Sequence, residues 1–322
     1  MNYRENTVSV IIPCYNGKNF IHQSFSHILK QTYQKLEILF VDDGSTDNSF
    51  QEALNWKNRF NQVGMELVCL QKENGGAASA VNLALKKMTG EFFMLLDIDD
   101  FIYPENIRKK LEYLQEHSEI AFVRSDGEIY NEQQGKVVSD FSVSADEKKC
   151  TNIFRALLFG RTYNWTGSYL IRSEIFHQVN GGLRIYESRY GQNMQILLPV
   201  AARYDCGYVP DCAARYIEYA SSVSHSEEYQ KNIELMNGYE DIRVQTLKQH
   251  CLDDPELTRE LKEFYLRQKM SIAYHFHEKE AARGFYLQIE KKTIKDHILE
   301  FRCQSAMFER CFQICVKLFH RK

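Results

Sequence analysis

Four residues beginning at Asp97 carry the clearest chemical signal in the sequence. Asp97, Asp99 and Asp100 follow an apolar run at 91–96 that is typical of a buried strand. If the strand continues, Asp97 and Asp99 point to the same face, and two carboxylates held that close repel each other unless a cation lies beside them. Mg²⁺ and Mn²⁺ prefer oxygen ligands, and substrate phosphates commonly complete their coordination. A metal that bridges a diphosphate would act as a Lewis acid and stabilise the charge on a leaving nucleotide.

Two other interpretations compete with a metal site. An acidic run after a strand can simply cap the next helix and remain solvated, and on this short pattern alone we weigh capping and metal binding evenly. A phosphate-binding glycine loop would place the chemistry elsewhere. The sequence contains neither G-x-x-x-x-G-K-[ST] nor G-x-G-x-x-G after its first predicted strand, so the P-loop and dinucleotide-binding classes lose their main support.

The elements that must position these carboxylates follow an α/β pattern. The first half of the chain alternates β-rich runs with amphipathic helical stretches, which predicts a layered domain with a mostly parallel central sheet. In such sheets ligands bind outside the carboxyl ends of the strands, where this chain carries polar loops. From about Glu227 the sequence is helical and strongly charged. We therefore expect a catalytic domain over residues 1–226 and a helical carboxyl-terminal extension over residues 227–322.

Four motifs in a fixed order carry a family resemblance. They are Val8–Asn16, Glu37–Asp47, Asn74-Gly75-Gly76 with Asn82, and Leu96–Asp100 with Pro104. Together they resemble the family 2 glycosyltransferases of the GT-A fold, densely over about the first 105 residues and more weakly to about 226. The resemblance implies an inverting transfer, in which an acceptor hydroxyl attacks the anomeric carbon from the face opposite the nucleoside diphosphate. It also implies a divalent metal, Mn²⁺ or Mg²⁺, and makes UDP the commonest nucleotide, although other nucleotides occur.

The resemblance assigns roles around the donor. Tyr15 matches the residue that packs beside the base, Asp43 the residue that reads the base edge, Asp97 a position near the ribose, and Asp99 the metal ligand. An aromatic ring can stack on a base and a carboxylate can accept from a ring N–H, so the residue types suit these roles. Tyr15 as a half-buried strand end and Asp43 as a helix cap are the alternatives. The other matched positions that we place in the donor site are Pro13, Asn74, Gly76 and Asn82.

The sequence departs from the family pattern at the general base. Relatives carry Glu-Asp ahead of an apolar helix, whereas this chain has Gln192-Asn193, and an amide cannot accept a proton at physiological pH. Another carboxylate could take the proton, with Glu187 and Asp126 nearest in sequence. Otherwise the match is displaced, or the chain binds without transferring. Gln192 and Asn193 could orient acceptor hydroxyls or cap the helix that follows, and we weigh these two roles equally.

Three further positions are weaker candidates. His225 follows a Ser-x-Ser group and could complete the metal shell, but a lone surface histidine is the safer default. Tyr219 occupies the position where family members often carry a histidine. Trp165 precedes a predicted strand and could give the acceptor side an aromatic platform for a sugar ring, although a tryptophan in such a setting is more often a core residue.

Composition limits the function classes. The net charge of −3 argues against a dedicated nucleic-acid binder, which would need a concentrated excess of Lys and Arg. Nine cysteines without a C-x-x-C pair indicate neither a disulfide framework nor a zinc site, so a reducing cytoplasm is the simplest compartment. No signal-peptide pattern is visible, and no uncharged apolar stretch approaches the roughly 20 residues that span a bilayer. We expect a soluble or peripherally attached protein.

The carboxyl-terminal segment 301–322 supplies a partner hypothesis. Its apolar residues recur at helical spacing among basic ones, and a basic amphipathic helix can lie on an anionic membrane surface. That arrangement would suit an enzyme whose acceptor is a lipid-linked glycan at the inner face of the membrane. Packing of this helix on the catalytic domain, or on a second subunit in a homo-oligomer, is at least as good an alternative.

The sequence therefore predicts a cytoplasmic, metal-dependent glycosyltransferase. It would move a sugar from a nucleotide-sugar, with UDP favoured, to a glycan or lipid-linked glycan acceptor in surface-polysaccharide synthesis. One rival is a degenerate nucleotide- or glycan-binding module, which Asn193 would permit. A second rival is a sugar-nucleotide-forming nucleotidyltransferase, which needs a glycine-rich basic loop that residues 14–19 do not convincingly supply.

Overall fold

A computed structural model describes residues 2–141, 145–182, 184–219 and 227–304. The strands of these residues are β1 (Arg4–Cys14), β2 (Leu36–Asp42), β3 (Glu66–Gln71), β4 (Gly90–Leu95), β5 (Phe101–Ile102), β6 (Phe122–Asn131), β7 (Lys136–Asp140), β8 (Tyr169–Arg172) and β9 (Cys206–Glu218). The helices are α1 (Lys18–Leu29), α2 (Ser49–Leu54), α3 (Lys57–Gln62), α4 (Ala77–Leu85), α5 (Asn106–Glu116), α6 (Ala145–Lys149), α7 (Phe154–Leu158), α8 (Ser173–Asn180), α9 (Gln192–Ala201), α10 (Tyr229–Gln249), α11 (Pro255–His275), α12 (Lys279–Gln288) and α13 (Ile294–Gln304).

The described strands form one sheet in the order β3-β2-β1-β4-β8-β6-β9-β5, with β7 paired to β6 off this path. The parallel arrangement expected from the first half of the chain holds for β1 to β4. The later strands make the sheet mixed, because β8 runs antiparallel to both β4 and β6 while β6 and β9 are parallel. The strand order reverses at β1, with β2 on one side and β4 on the other. Ligands bind at such switch points in α/β sheets.

Pro13 lies where β1 loses one of its two neighbours. β1 pairs with β4 only as far as Ile11, whereas its pairing with β2 continues to Cys14. Because proline has no N–H to give to a ladder, it is tolerated in a central strand only where one neighbour has diverged. The end of β1 and the loop at 97–100 after β4 therefore separate at the same end of the sheet.

An aromatic core supports the first two strands. Helix α1 buries Ile21, Phe25 and Ile28 against the sheet. The ring of Phe25 meets the rings of Phe40 and Phe60 edge-on, with centroids 5.7 and 5.3 Å apart. Full burial of each such side chain contributes about 1.5–3 kcal/mol, so the first two strands are firmly held.

The described residues divide into two compact units. One contains residues 2–219 together with Gln245–His250, and it holds the whole sheet. The other contains residues 227–244 and 251–304, and its core includes Leu266, Met270, Ala273, Ala282, Ile289 and Cys303. The expected helical carboxyl-terminal region is confirmed for residues 227–304. The boundary expected at 226 falls outside the described residues and stays a prediction.

In the part of the chain that the structure describes, none of the helices is both long enough and apolar enough to cross a bilayer. The amphipathic helix expected at 301–322 lies largely outside the described residues. Its first residues belong to α13, which ends at Gln304, and the side chain of Phe301 is exposed.

Candidate active site

The loop after β4 gathers three carboxylates. Asp97 and Asp99 are half-buried and Asp100 is buried. The N–H of Asp100 donates to the carbonyl of Asp97 at 3.1 Å, which makes a tight turn. The hydroxyl of Thr166 accepts from the N–H of Asp97 at 3.1 Å and donates to the carboxylate of Asp100. One side chain, far away in sequence, thus joins both ends of the acidic loop.

Burial raises the pKa of all three carboxyl groups, and repulsion by neighbouring carboxylates raises the pKa of Asp97 and Asp100 further. Burial, and then the charge of Asp99, raise the pKa of Asp97 to about 7. Burial, and then the charges of Asp97 and Asp99, raise the pKa of Asp100 well above its ordinary value. Burial also raises the pKa of Asp99. No Lys, Arg or His within the described ranges forms an ion pair with any of the three. The residues that the structure describes therefore give the ionised cluster no cationic side chain to stabilise it.

The donor set fits a hard divalent cation that is only partly coordinated by protein. No group of three or more His, Cys, Asp or Glu side chains among the described residues is arranged to hold a metal ion unaided. Mg²⁺ and Mn²⁺ sites of this kind use one or two carboxylates and take their other ligands from water and substrate phosphates. Asp97 and Asp99 have the ligand type that such a site uses, and metal binding by them stays a prediction. His225, the third predicted ligand, lies outside the described residues.

Asp43 holds the loop that follows β3. Its side chain is only 3% exposed, and its Oδ1 accepts from Lys72 Nζ at 2.7 Å and from the Gly75 N–H at 3.0 Å. Its Oδ2 accepts from the Gly76 N–H at 2.7 Å. The backbones approach closely, since a Cβ added to Gly44 would lie 2.7 Å from the nitrogen of Asn74. Gly44 also has a φ of +77°, which a residue with a Cβ adopts only at a cost.

Tyr15 lies beside this loop at the end of β1. The N–H of Asp43 donates to the carbonyl of Cys14 at 2.8 Å, which places the two strand ends side by side. The side chain of Tyr15 is 54% exposed, so it is not the half-buried strand end that was the alternative. Its ring is free to stack on a flat ligand, although base stacking itself stays a prediction. Asn74, also assigned to the donor site, is exposed on the adjoining loop.

Asn82 has a structural partner far away in sequence. Its side chain is buried, its Nδ2 donates to the carbonyl of Ile185 at 2.9 Å, and its Oδ1 accepts from the N–H of Ile185 at 2.7 Å. This pair of bonds anchors the segment 184–191, whose Ser188 carbonyl lies 3.8 Å from the place a Cβ on Gly76 would take. The predicted contact between Asn82 and the nucleotide stays a prediction, since the described bonds engage its amide in positioning the segment.

The two candidate bases differ in their surroundings. Glu187 is exposed on the segment 184–191 and pairs with the exposed Arg184 at 3.0 Å. Asp126 is buried in β6, where Lys148 Nζ lies 2.7 Å away and the hydroxyl of Tyr208 donates to it at 3.1 Å. Of these two carboxylates, that of Glu187 is exposed to solvent and that of Asp126 is not.

The first two residues of α9 face the acidic loop and its support. Gln192 Nε2 lies 3.4 Å from Asp97 Oδ1, a long hydrogen bond that favours the ionised carboxylate. Asn193 Nδ2 donates to the carbonyl of Asn164 at 3.2 Å, while its buried Oδ1 has no partner among the described residues. Asn193 also lines a cavity of about 20 Å³, which is room for one water molecule.

Sequence reasoning missed the partners of these residues. Thr166 and Lys72 are single polar residues in loops, and no spacing pattern distinguishes them.

Tyr219 had a signal in the sequence, because it stands where a histidine was expected. Burial, and then the charge of Asp99, raise the pKa of its hydroxyl to about 12, which places Tyr219 beside the acidic loop. Trp165 is half-buried and stacks on Tyr216 with centroids 4.2 Å apart, so one ring face is already covered.

Comparison with known proteins agrees with this architecture. The family model described as glycosyl transferase family 2 matches residues 9–179, more than half of the chain. The chain belongs to glycosyltransferase family 2. Glycosyltransferase GlyG of Streptococcus pneumoniae is 27% identical to it over 300 residues, which cover 82% of this chain and 95% of that protein. An uncharacterised glycosyltransferase of Rickettsia conorii is 40% identical over 116 residues, 35% of this chain. That match spans only 18% of the rickettsial protein, and others from Rickettsia are likewise matched over 15 to 31% of their length.

Two solved structures share the fold of this glycosyltransferase. Staphylococcus aureus TarS 1–349 in complex with UDP-GlcNAc superposes with a TM-score of 0.57 at 18% identity, covering 92% of this chain and 79% of that one. Mannosyltransferase PcManGT from Pyrobaculum calidifontis, in complex with GDP-Man and Mn²⁺, gives a TM-score of 0.55 at 16% identity over 97% of this chain and 84% of the other. The GT-A fold expected from the four motifs is confirmed.

Proposed function

We propose that this glycosyltransferase binds a uridine diphosphate sugar at the carboxyl ends of β1, β2 and β4 and transfers the sugar, with inversion, to a hydroxyl of a glycan or lipid-linked glycan. The acidic cluster carries the proposal. Asp97, Asp99 and Asp100 crowd together at the switch point of the sheet without a cationic side-chain partner among the described residues. A divalent cation held by these carboxylates would supply a compensating positive charge. TarS and PcManGT, which share the fold, were solved with UDP-GlcNAc and with GDP-Man and Mn²⁺.

Asp99, with Asp97 beside it, would hold Mn²⁺ or Mg²⁺, and the diphosphate would supply further ligands. When bound, the cation stabilises the negative charge that builds on the leaving diphosphate. Thr166 supports this role because its hydroxyl fixes the turn of the acidic loop from both ends. Gln192 supports it by donating to Asp97, which favours the ionised carboxylate that a cation needs.

The nucleoside would lie between the loops that follow β1, β2 and β3. Tyr15 offers an exposed ring for stacking, and Asp43 offers a carboxylate for a ring N–H. Asn74 and Gly76 would line the rim of the nucleoside site, and the segment 184–191 passes beside Gly76 at ordinary contact distance. Asn82 holds that segment through its two hydrogen bonds to the backbone of Ile185.

The acceptor hydroxyl must lose a proton as it attacks. Glu187 is the better of the two carboxylates for this step, because it is exposed on the segment that passes Gly76, whereas Asp126 is buried against Lys148. A general base contributes about 10²- to 10⁴-fold to such a step. Asn193 cannot accept the proton, so its amide would orient hydroxyl groups of the substrates.

The proposed acceptor is a glycan or a lipid-linked glycan. A lipid-linked glycan at the inner face of the membrane, as in surface-polysaccharide synthesis, would suit a cytoplasmic enzyme whose residues 301–322 lie on an anionic lipid surface. The relative TarS bears the name poly(ribitol-phosphate) beta-N-acetylglucosaminyltransferase, which describes transfer of a sugar to a polymer.

Calorimetric titration of UDP, GDP, CDP and dTDP in saturating Mn²⁺ tests the proposal. We expect UDP to bind, and to bind much more weakly after Mn²⁺ is removed with a chelator. Release of free UDP from a UDP-sugar then distinguishes an active transferase from a module that only binds. Failure of all four nucleotides to bind would overturn the proposed function.

A further inference from the structure

Lys72 forms an ion pair with Asp43, the carboxylate that is expected to recognise the base. Its Nζ lies 2.7 Å from Asp43 Oδ1 and also donates to the carbonyl of Glu73. The backbone of Lys72 is fixed, because its N–H donates to the carbonyl of Asp42 at 3.0 Å. Its side chain is 22% exposed, so it is partly open to solvent.

The carboxylate of Asp43 has little capacity left for a further donor. A carboxylate offers about four acceptor positions. Lys72 takes one on Oδ1, Gly76 takes one on Oδ2 at 2.7 Å, and the N–H of Gly75 lies between the two oxygens at 3.0 and 3.2 Å. The glycine donors belong to a backbone held by the turn. Lys72 is the donor that can move aside without rebuilding the loop.

We propose that Lys72 is a specificity-determining residue of the donor site, which leaves Asp43 when a nucleotide binds and donates to the ring carbonyl next to the N–H that Asp43 accepts. This inference rests on the proposed function. Asp43 and Lys72 together present an acceptor beside a donor, with their polar atoms 2.7 Å apart. A small displacement of the ammonium from the pair would leave the two groups side by side, facing neighbouring groups on one base edge.

The pair distinguishes bases by the order of their groups. Uracil presents a ring N–H beside the O4 carbonyl, which matches an acceptor followed by a donor. Cytosine presents the reverse order, an unprotonated ring nitrogen beside an amino group. Asp43, an acceptor, would then face an acceptor, and Lys72, a donor, would face a donor. Guanine has the same N–H and carbonyl order as uracil, and adenine has the order of cytosine. The site therefore selects uracil or guanine over cytosine and adenine.

The ratio of UDP to CDP affinity is the appropriate measurement, because removal of Lys72 also frees Asp43 and so changes the affinity for any nucleotide. We expect UDP to bind more tightly than CDP to the full chain in saturating Mn²⁺. Lys72→Met should lower this ratio by about tenfold, which corresponds to the binding free energy of one hydrogen bond from a charged donor. Lys72→Arg keeps a charged donor and should retain most of the ratio. Lys87→Met, at an exposed lysine beyond the carboxyl end of α4, is the matched control.

The outcomes separate this inference from the proposal on which it rests. A UDP to CDP ratio in Lys72→Met within twofold of that in Lys87→Met would overturn the role of Lys72 and leave the donor site standing. Tighter binding of CDP than UDP by the wild-type chain would also overturn it. Absence of binding by every nucleoside diphosphate would instead remove the proposed function itself.

Discussion

Asn82 offers the sharpest test of the hydrogen bonds that hold the segment 184–191. Asn82→Ala removes two hydrogen bonds, of 2.9 and 2.7 Å, that its buried amide makes with the backbone of Ile185. Ile185 is itself only 2% exposed, so its N–H and carbonyl lose partners in a place that water reaches poorly. Each unsatisfied buried group costs about 1–3 kcal/mol, which puts the loss of unfolding free energy at about 2–6 kcal/mol. Water that enters the space left by the side chain would bring the loss to the lower end of this range.

Urea unfolding measures this loss, and Asn61→Ala, at an exposed asparagine of α3, is the matched control and should change stability by less than about 0.5 kcal/mol. Turnover should also fall, because the segment 184–191 carries Glu187 and a misplacement of about 1 Å can cost about 10²-fold in rate. UDP affinity in Mn²⁺ should stay within about threefold of wild type. If Asn82→Ala unfolds at the wild-type urea concentration and loses UDP affinity, Asn82 is a nucleotide ligand and the reasoning from its hydrogen bonds is wrong.

Three further predictions concern charge. Asp99→Asn should weaken Mn²⁺-dependent UDP binding by about 10²-fold while the folded state persists, and wild-type affinity in calorimetry would remove Asp99 from the metal site. Glu187→Gln should lower turnover by about 10²- to 10⁴-fold with little change in donor affinity. Asp126→Asn should instead lower the stability of the folded chain. Full turnover in Glu187→Gln would exclude Glu187 as the base. Burial, and then the charge of Arg203, lower the pKa of His250, so the unfolded chain binds a proton more readily than the folded one. Stability should therefore fall as the pH drops below about 6.5, and His250→Gln should reduce that slope in urea unfolding at pH 5 to 8.

The parts of the fold that were predictable share a local signature. The strands β1 to β4 are continuous apolar runs that end in polar loops, and parallel strands must bring those loops to one end of a sheet. Asp43 and Asp97 could therefore be placed at the same end from the sequence alone. The mixed part of the sheet was not predictable in the same way, because short strands such as β5 and β8 have no period long enough to identify their partners.

The missed partners share the opposite property. Thr166 bonds to the N–H of Asp97 from 69 residues away, and Asn82 bonds to Ile185 across 103 residues. No local pattern encodes such distances, and a polar residue in a loop looks the same whether it bonds to solvent or to a distant backbone. Lys72 is only 29 residues from Asp43, but the two meet through the pairing of β2 with β3 and not through a helical or strand spacing.

The amides at the start of α9, Gln192 and Asn193, affect the electrostatics of the acidic loop. Three carboxylates with raised pKa values already crowd there, and Gln192 donates toward Asp97, which favours the ionised form that a cation requires. A glutamate at position 192 would add a like charge about 3.4 Å from Asp97 and raise its pKa further. The amides therefore favour the ionised form of Asp97, and they leave this helix without a proton acceptor at its start. On the proposed function the base would be Glu187, exposed on the segment 184–191, and the bonds of Asn82 to that segment would then matter for turnover.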